Sequence, residues 1–545
     1  MTVLVLSGGP SIEQERAQRY VDALARGDYA AMYVELTDAA QRERSLQAFT
    51  DDHRRAAVVA TAVAFAPGLV GEPGDGVVDV SMTVKTRIFG AVRATLRLPF
   101  EGDDDDARIE YKPYLAFPGM RPGQRLERTT RLAPRADILA RDGTPLAEGE
   151  DRGSPLGDVA NAISGSLGVA PPERVQRLRE LGIPDDAKVG INGLERIFDE
   201  SLSGRPGGVL RAGERVLATS EPQAAEPVRT TIDPQVQRAA VETLGSQFGG
   251  VAALRPRTGE ILALAGVAFS GLQPPGSTFK MITLAGALEA GIADRKSTYP
   301  VQMSATIEGV EIDNADRESC GGSLRESFAE SCNSVFAPLG AELGAERLVK
   351  TAEAFGFNSD PGIAGAATST IPDPEEIGDG LAVGSSAIGQ GRVLASALQM
   401  GWVAATIADG GMRASLTLRS GTEPERKRVL GAQTARTVRS YMESVVKVGT
   451  GKAAAISDVR VAGKTGTAEL RDTTTPECTP TEQMPECPPA EPDDPTDTDA
   501  WFAAFAPAGK PRVAVGVLLV ENGQGGDTAA PVAKQVLIAG LKATG

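Results

Sequence analysis

Ser277 and Lys280 stand three residues apart, directly after Pro274-Pro275-Gly276. The two prolines and the glycine hand over to an apolar-periodic stretch (Phe279, Ile282, Ala285, Leu288), which places Ser277 in the first turn of a helix. Free backbone N–H groups and the helix dipole favour developing negative charge there. Lys280, three residues on, shares the face of Ser277. A lysine kept dry and beside another cation loses basicity until its neutral amine can take a proton from a hydroxyl. The pair is therefore a candidate nucleophile and base. The chain holds a single histidine, His53, in a polar Asp51-Asp52-His53-Arg54-Arg55 run. A Ser-His-Asp triad would need that residue itself, and multi-histidine metal sites are excluded.

A serine-x-x-lysine spacing arises by chance about once in a chain this long, and Ser444 with Lys447 is a second instance. Two further motifs separate them. Ser331-Cys332-Asn333 and then Lys464-Thr465-Gly466-Thr467 follow Ser277 in order, whereas no serine-x-asparagine lies between Ser444 and Lys464. An ordered set of serine-lysine, serine-x-asparagine and lysine-threonine-glycine supplies a nucleophile, a base, a polar wall and a strand with a cation.

The elements that must position these residues are legible from periodicity. Val251–Leu254 and Ile261–Leu264 flank a turn in Arg255-Pro256-Arg257-Thr258-Gly259-Glu260, which predicts a hairpin. Residues 324–407 read as largely helical, strand signals return at Val459–Val461, Trp501–Phe505 and Val513–Val520, and Val532–Leu541 reads as a closing helix. A sheet built from both ends of this region, with helices between, follows. Upstream, Ser11–Leu46 is helical in period, and Val78–Val84 and Val92–Leu98 alternate as two antiparallel strands, so an α+β domain ends near Met120. Residues 129–226 are mixed and carry no catalytic constellation; they read as a scaffold. Trp402 and Trp501 read as core residues.

The chain has 545 residues, which implies several domains. Its net charge of −16 argues against a nucleic-acid partner. No run of apolar residues reaches the eighteen or so needed to span a bilayer. The opening MTVLVLSGGPS reads either as a buried strand or disordered start, or as the trailing end of an anchor. The four cysteines lie as two local pairs, Cys320 with Cys332 and Cys478 with Cys487. Neither pair has zinc-site spacing, and two local disulfides would imply an oxidising compartment. Directly after KTGTAEL and between two strand signals, Arg471–Thr498 is a Pro/Thr/Asp/Glu-rich insertion that contains Cys478 and Cys487, read as a loop tied by these cysteines or as a gate beside the lysine-threonine-glycine strand.

The motifs carry a family resemblance over most of the chain. PVRTTIDPQVQ, GVAALRPRTGEILAL, PPGSTFK, SCNSVF, AIGQGRVLASALQM and KTGTAEL resemble successive landmarks of the penicillin-binding transpeptidases. PRADILARDGTPLA and GINGLERIFDESLSG resemble the pedestal of the monofunctional, class B members, and GDYAAMYVELT with LAFPGM resembles the nuclear-transport-factor-like domain of the methicillin-resistance type. Ala136 stands where the pedestal motif usually has glycine, and Ser396-Ala397-Leu398 where Thr-Pro-Leu is commoner. The resemblance implies a multidomain α+β protein: a nuclear-transport-factor-like domain over 1–125, a pedestal over 126–226 and a serine transpeptidase domain over 227–545, with an antiparallel sheet flanked by helices.

It implies the following roles. Ser277 attacks the D-Ala-D-Ala carbonyl of a peptidoglycan stem peptide and Lys280 takes its proton. Ser331 and Asn333 complete the polar wall, with Ser331 passing a proton to the leaving amine. Lys464, Thr465 and Thr467 hold the terminal carboxylate, Gly466 leaves room for substrate backbone, and the N–H groups of Ser277 and Thr467 form the oxyanion hole. No metal or cofactor is implied. Implied partners are the stem peptide of a lipid-linked precursor, β-lactams and a membrane-embedded glycan polymerase, at the extracytoplasmic face of a membrane and anchored by an N-terminal segment. A Cys320–Cys332 disulfide would brace the wall at Asn333. The motifs leave open a D,D-carboxypeptidase or β-lactamase on the same scaffold, or a β-lactam sensor or division scaffold. No Glu-x-x-Leu-Asn element for deacylation is present, and the first domain lacks the acidic signature of bifunctional glycosyltransferases.

Overall fold

The computed structural model describes residues 10–102, 104–469 and 498–544. Cys478, Cys487 and nearly all of the acidic insertion lie outside the described residues. Two compact units are present. One comprises the chain up to Ala136 with Ser166–Ile191 and Phe198–Pro227; the other comprises Asp137–Gly165, Asn192–Ile197 and the chain from Val228 onward. Residues 126–226 thus contribute to both.

In the first unit, α1 (Ile12–Arg26) starts at a Ser11–Gln14 capping box and stops at Gly27, which takes the left-handed conformation at φ 69°. A second long helix, α2 (Leu46–Ala60), is capped by Ser45 and buries Phe49, His53, Ala56 and Ala60 along one stripe. These helices share a core with a four-stranded sheet of β1 (Ala62–Val70), β2 (Val77–Thr86), β3 (Gly90–Glu101) and β4 (Arg108–Ile109). The alternation in the sequence sets the register: Val78 faces Leu98, Val80 faces Leu96 and Val84 faces Val92. β1, which sequence reading missed, is the sheet edge and carries Pro67, a residue edge strands tolerate. A second sheet joins β5 (Leu126–Arg131), β6 (Gly207–Ala212) and β7 (Arg215–Ser220) in the order β7-β6-β5.

The second unit is built on helix α3 (Pro234–Leu244) and a five-stranded antiparallel sheet. Its strands β8 (Gly249–Leu254) and β9 (Ile261–Gly266) form the expected hairpin. Next come α4 (Lys280–Glu289), an excursion of four short strands, β10 (Thr298–Gln302), β11 (Ser304–Ile307), β12 (Val310–Asp313) and β13 (Cys320–Ser323), and the helices α5 (Asn333–Leu343), α6 (Ala397–Ala408) and α7 (Ala432–Lys447). β14 (Ala462–Glu469), β15 (Thr498–Ala506), β16 (Val513–Leu519) and α8 (Ala529–Ala543) close the unit.

Sheet order is β9-β8-β16-β15-β14. Apart from β14, the strands are near-continuous apolar runs because both faces are covered. On one face Val251, Phe502, Val515 and Val517 pack with Val236 of α3 and Val536 and Leu537 of α8. On the other, α6 lies against β16 so closely that a side chain on Gly516 would strike the Ala397 carbonyl. β14, which carries Lys464-Thr465-Gly466-Thr467, is the edge strand, so one of its backbone rims has no strand partner. It begins at Ala462, not at Val459; Val459 instead closes a small bridge with Ile456. Among the described residues no helix is long and apolar enough to cross a membrane.

Candidate active site

Ser277 lies in a 3-10 turn, Gly276–Phe279, that runs into α4 at Lys280. A 3-10 turn brings residues i and i+3 into line, which keeps Ser277 and Lys280 on one face. The turn is pinned from three sides. Gly276 N–H donates to the Gly389 carbonyl (3.0 Å), the Thr278 hydroxyl donates to the Pro275 carbonyl (2.6 Å) and Lys280 N–H donates to the Ser277 carbonyl. Gly276 has φ +50°, and a Cβ there would stand 2.5 Å from the Thr467 carbonyl oxygen of β14. Only a glycine lets the Ser277 turn lie flat on the edge strand. Gly466 repeats the device from the strand side, where a Cβ would stand 2.8 Å from the Pro275 carbonyl.

The lysine ammonium groups and the serine-x-asparagine motif form one hydrogen-bonded cluster. Lys280 Nζ donates to the Ser331 carbonyl (2.6 Å), to Asn333 Oδ1 (2.6 Å) and, more weakly, to Ser331 Oγ (3.3 Å). Lys464 Nζ donates to the same Ser331 Oγ (2.8 Å) and to the Thr465 carbonyl (3.1 Å). Ser331 thus sits between two lysines, at φ +65°. For a non-glycine residue that conformation costs about 1–2 kcal/mol and persists only where the surroundings over-determine it. The Ser277 hydroxyl, half-buried, has no hydrogen-bond partner among the described residues.

Both lysines are fully buried. Each ammonium lies over an aromatic face, Lys280 Nζ 5.8 Å from the Phe336 centroid and Lys464 Nζ 5.6 Å from that of Phe328. Burial, and then the charge of Lys464, push Lys280 well below its ordinary pKa. Burial brings Lys464 down to about 7, against which the Glu330 carboxylate pulls it up. A deprotonated Lys280 has two N–H groups and one lone pair. Its two short bonds, to Ser331 O and Asn333 Oδ1, use the N–H groups and free the lone pair for a hydroxyl.

The structure therefore brings Ser277, Lys280, Ser331, Asn333, Lys464, Gly466 and Thr467 to one edge of the sheet. Thr465 turns its hydroxyl to Thr450 (2.6 Å), and Thr467 Oγ1 accepts a long bond from Gly525 N–H (3.4 Å). Cys320 and Cys332 are joined in a disulfide with Cα atoms 5.8 Å apart. Sequence reading missed Thr450, Gly389 and Gly525. Gly389 could be found only as part of the AIGQG landmark; Thr450 and Gly525 have no local signature. Among the described residues no set of three His, Cys, Asp or Glu converges as metal ligands.

Comparison with known proteins agrees with this arrangement. The family profile described as the penicillin binding protein transpeptidase domain matches residues 249–538. The peptidoglycan D,D-transpeptidase PbpA of Mycolicibacterium smegmatis is 33% identical over 419 residues, covering 64% of this chain and 79% of that protein. Among solved structures, the ceftriaxone acyl-enzyme complex of penicillin-binding protein A from M. tuberculosis is similar with a TM-score of 0.59 and 28% identity, covering 75% of this chain and 98% of that one. The D,D-transpeptidase domain of a peptidoglycan glycosyltransferase from Eggerthella lenta gives 0.60 and 26%, with coverage of 76% and 99%. A profile match over more than half the chain, on the segment that holds all three motifs, makes this chain a member of the penicillin-binding protein transpeptidase family.

Proposed function

We propose that this chain is a class B peptidoglycan D,D-transpeptidase with Ser277 as its nucleophile. The observation that carries the reading is the hydrogen-bonded cluster of buried Lys280 and Lys464 with Ser331 and Asn333, beside the Ser277 turn and the open edge of β14. Neutral Lys280 takes the Ser277 proton as Oγ attacks the D-Ala-D-Ala carbonyl. The tetrahedral oxyanion forms against the N–H groups of Ser277 and Thr467, where a single donor is worth about 2.7–4 kcal/mol. The substrate lies along β14 as an added strand, for which Gly466 leaves room, and its terminal carboxylate meets the Lys464 cation with Thr465 and Thr467. Ser331, already accepting from Lys464, carries the proton onward to the departing D-alanine amine. A second stem-peptide amine then attacks the acyl-enzyme and restores Ser277. β-Lactams enter by the same first step and stay.

The helices and sheet of the first unit support a nuclear-transport-factor-like domain, and the mixed stretch after it a pedestal. The reading places the enzyme outside the membrane, anchored by an N-terminal segment, beside a membrane-embedded glycan polymerase that supplies uncross-linked strands from lipid-linked precursor. The test is a labelled penicillin followed by intact mass. The wild-type chain takes one stable adduct and Ser277→Ala takes none. Rapid turnover of the adduct would identify a β-lactamase instead. Release of D-alanine from a stem peptide without cross-links would identify a carboxypeptidase, and acylation with neither activity a sensor.

A further inference from the structure

The excursion β10–β13 has no motif of its own, yet it grips the helix that carries Asn333 at three points. α5 begins without a side-chain cap, because its N-cap residue is Cys332, whose sulfur is committed to Cys320 at the start of β13. The first free N–H groups of a helix need acceptors, and those of a buried helix need them most. Here one acceptor comes from outside the helix: Asn314 Oδ1 receives Ser334 N–H at 2.8 Å. Asn314 is only 5% exposed, and its amide donates twice more, to the Gln302 carbonyl (2.9 Å) and the Glu318 carbonyl (2.9 Å). One side chain therefore ties the end of β10, the turn before β13 and the first turn of α5 together.

The neighbouring residue completes a reciprocal pair. Asn333 Nδ2 donates to the Asp313 carbonyl at 2.9 Å. With its NH₂ occupied there, the Asn333 amide must present Oδ1 to Lys280, where the bond is 2.6 Å. Residues 313–314 thus face 333–334 through two crossed bonds, one from each side chain to the other's backbone. Any slip of the excursion rotates the acceptor that holds Lys280.

We propose that Asn314 is a positioning residue for acylation, capping α5 in trans so that Asn333 and Ser331 hold Lys280 in register with Ser277. This rests on the roles proposed above for Lys280 and Asn333. Asn314 touches no reacting atom, so its effect passes through Asn333. The Cys320–Cys332 disulfide is the covalent half of the same brace.

The experiment measures single-turnover acylation of the full chain by labelled penicillin, resolving the acylation rate constant from the dissociation constant of the initial complex. Asn314→Ala lowers the rate constant at least about tenfold, toward the ~10²-fold that an ångström of misplacement costs, with the dissociation constant unchanged. In an Asn333→Ala background the same substitution adds less than about threefold, since the group it positions is gone. Asn314→Asp, which keeps an acceptor for Ser334 N–H but loses both donors, falls between; it decides the matter if the alanine variant does not fold. Leu537→Ala, in the remote core of α8, serves as a stability-matched control and acylates as wild type does. A rate constant within twofold of wild type in the folded variant, or a loss that adds fully to that of Asn333→Ala, overturns the inference. A wild-type chain that takes no label overturns the proposed function as well, so the two failures are distinguishable.

Discussion

Gly276→Ala is the sharpest test of how Ser277, the proposed nucleophile, is placed. The new Cβ would stand 2.5 Å from the Thr467 oxygen, 2.9 Å from the Thr467 carbonyl carbon and 3.2 Å from Ala468 N. All three are backbone atoms of β14, so no side chain can rotate away. Restoring ordinary contact at 3.4 Å requires the Ser277 turn and the edge strand to part by about 0.9 Å. The left-handed backbone at φ +50° adds about 1–2 kcal/mol for an alanine, and the forced contact about 1–3 kcal/mol. The catalytic cost is larger, because the parting contact lies between the two N–H groups proposed as oxyanion donors, those of Ser277 and Thr467. Misplacing the attack by this distance, or losing one donor, lowers the acylation rate constant by about 10²- to 10³-fold. The assay is stopped-flow acylation with labelled penicillin, with thermal unfolding of the same sample to show that it is folded. Gly291→Ala is the control: φ is +69° there but nothing lies within 4 Å, so it carries the backbone strain without the clash. A folded Gly276→Ala that acylates within about threefold of wild type would refute the reasoning, as would an equal loss in Gly291→Ala.

Two further outcomes follow from charge. Glu330→Gln removes the carboxylate that raises Lys464 from below, so Lys464 becomes neutral at lower pH than its present value of about 7. If cationic Lys464 holds the substrate carboxylate, the basic limb of the acylation efficiency profile moves acidward, and an unmoved limb would remove Lys464 from that role. His53, 2% exposed, donates Nδ1–H to the Phe49 carbonyl (3.0 Å) and faces the Tyr20 hydroxyl with Nε2 (3.4 Å). Burial brings its pKa from 6.5 down to about 4. The unfolded chain therefore binds a proton that the folded one refuses, and stability is lost as pH falls from 6.5 to about 4, by about 3 kcal/mol. Denaturant unfolding of His53→Gln against wild type across that window shows a flatter slope for the variant; parallel slopes would mean His53 titrates normally.

Much of the chemistry was local enough to be written in one dimension. Ser277 and Lys280 are one turn apart, Ser331 and Asn333 flank one residue, and Lys464 to Thr467 is a single strand segment. Their order named the family before any contact was known. The lone histidine left His53 itself as the one possible base of a conventional triad, and the alternation of Val78–Val84 and Val92–Leu98 set a register that β2 and β3 adopt. Local patterns also failed where burial is long-range. Val459-Arg460-Val461 alternates as a strand does and predicts an earlier start for β14, although the ladder with β15 begins only at Ala462. The excursion from Thr298 to Ser323 shows no period, since its strands are short and pair with one another, β10 with β13 and β11 with β12. Only the tertiary structure decided that Lys280 rests on Ser331 and Asn333, that Ser331 bridges both lysines and that Asn314 caps a helix it does not belong to. Sequence spacing determines which side chains share a face of one element. Which elements meet, and which buried polar atom satisfies which, is settled by packing and by the cost of leaving any of them unpaired.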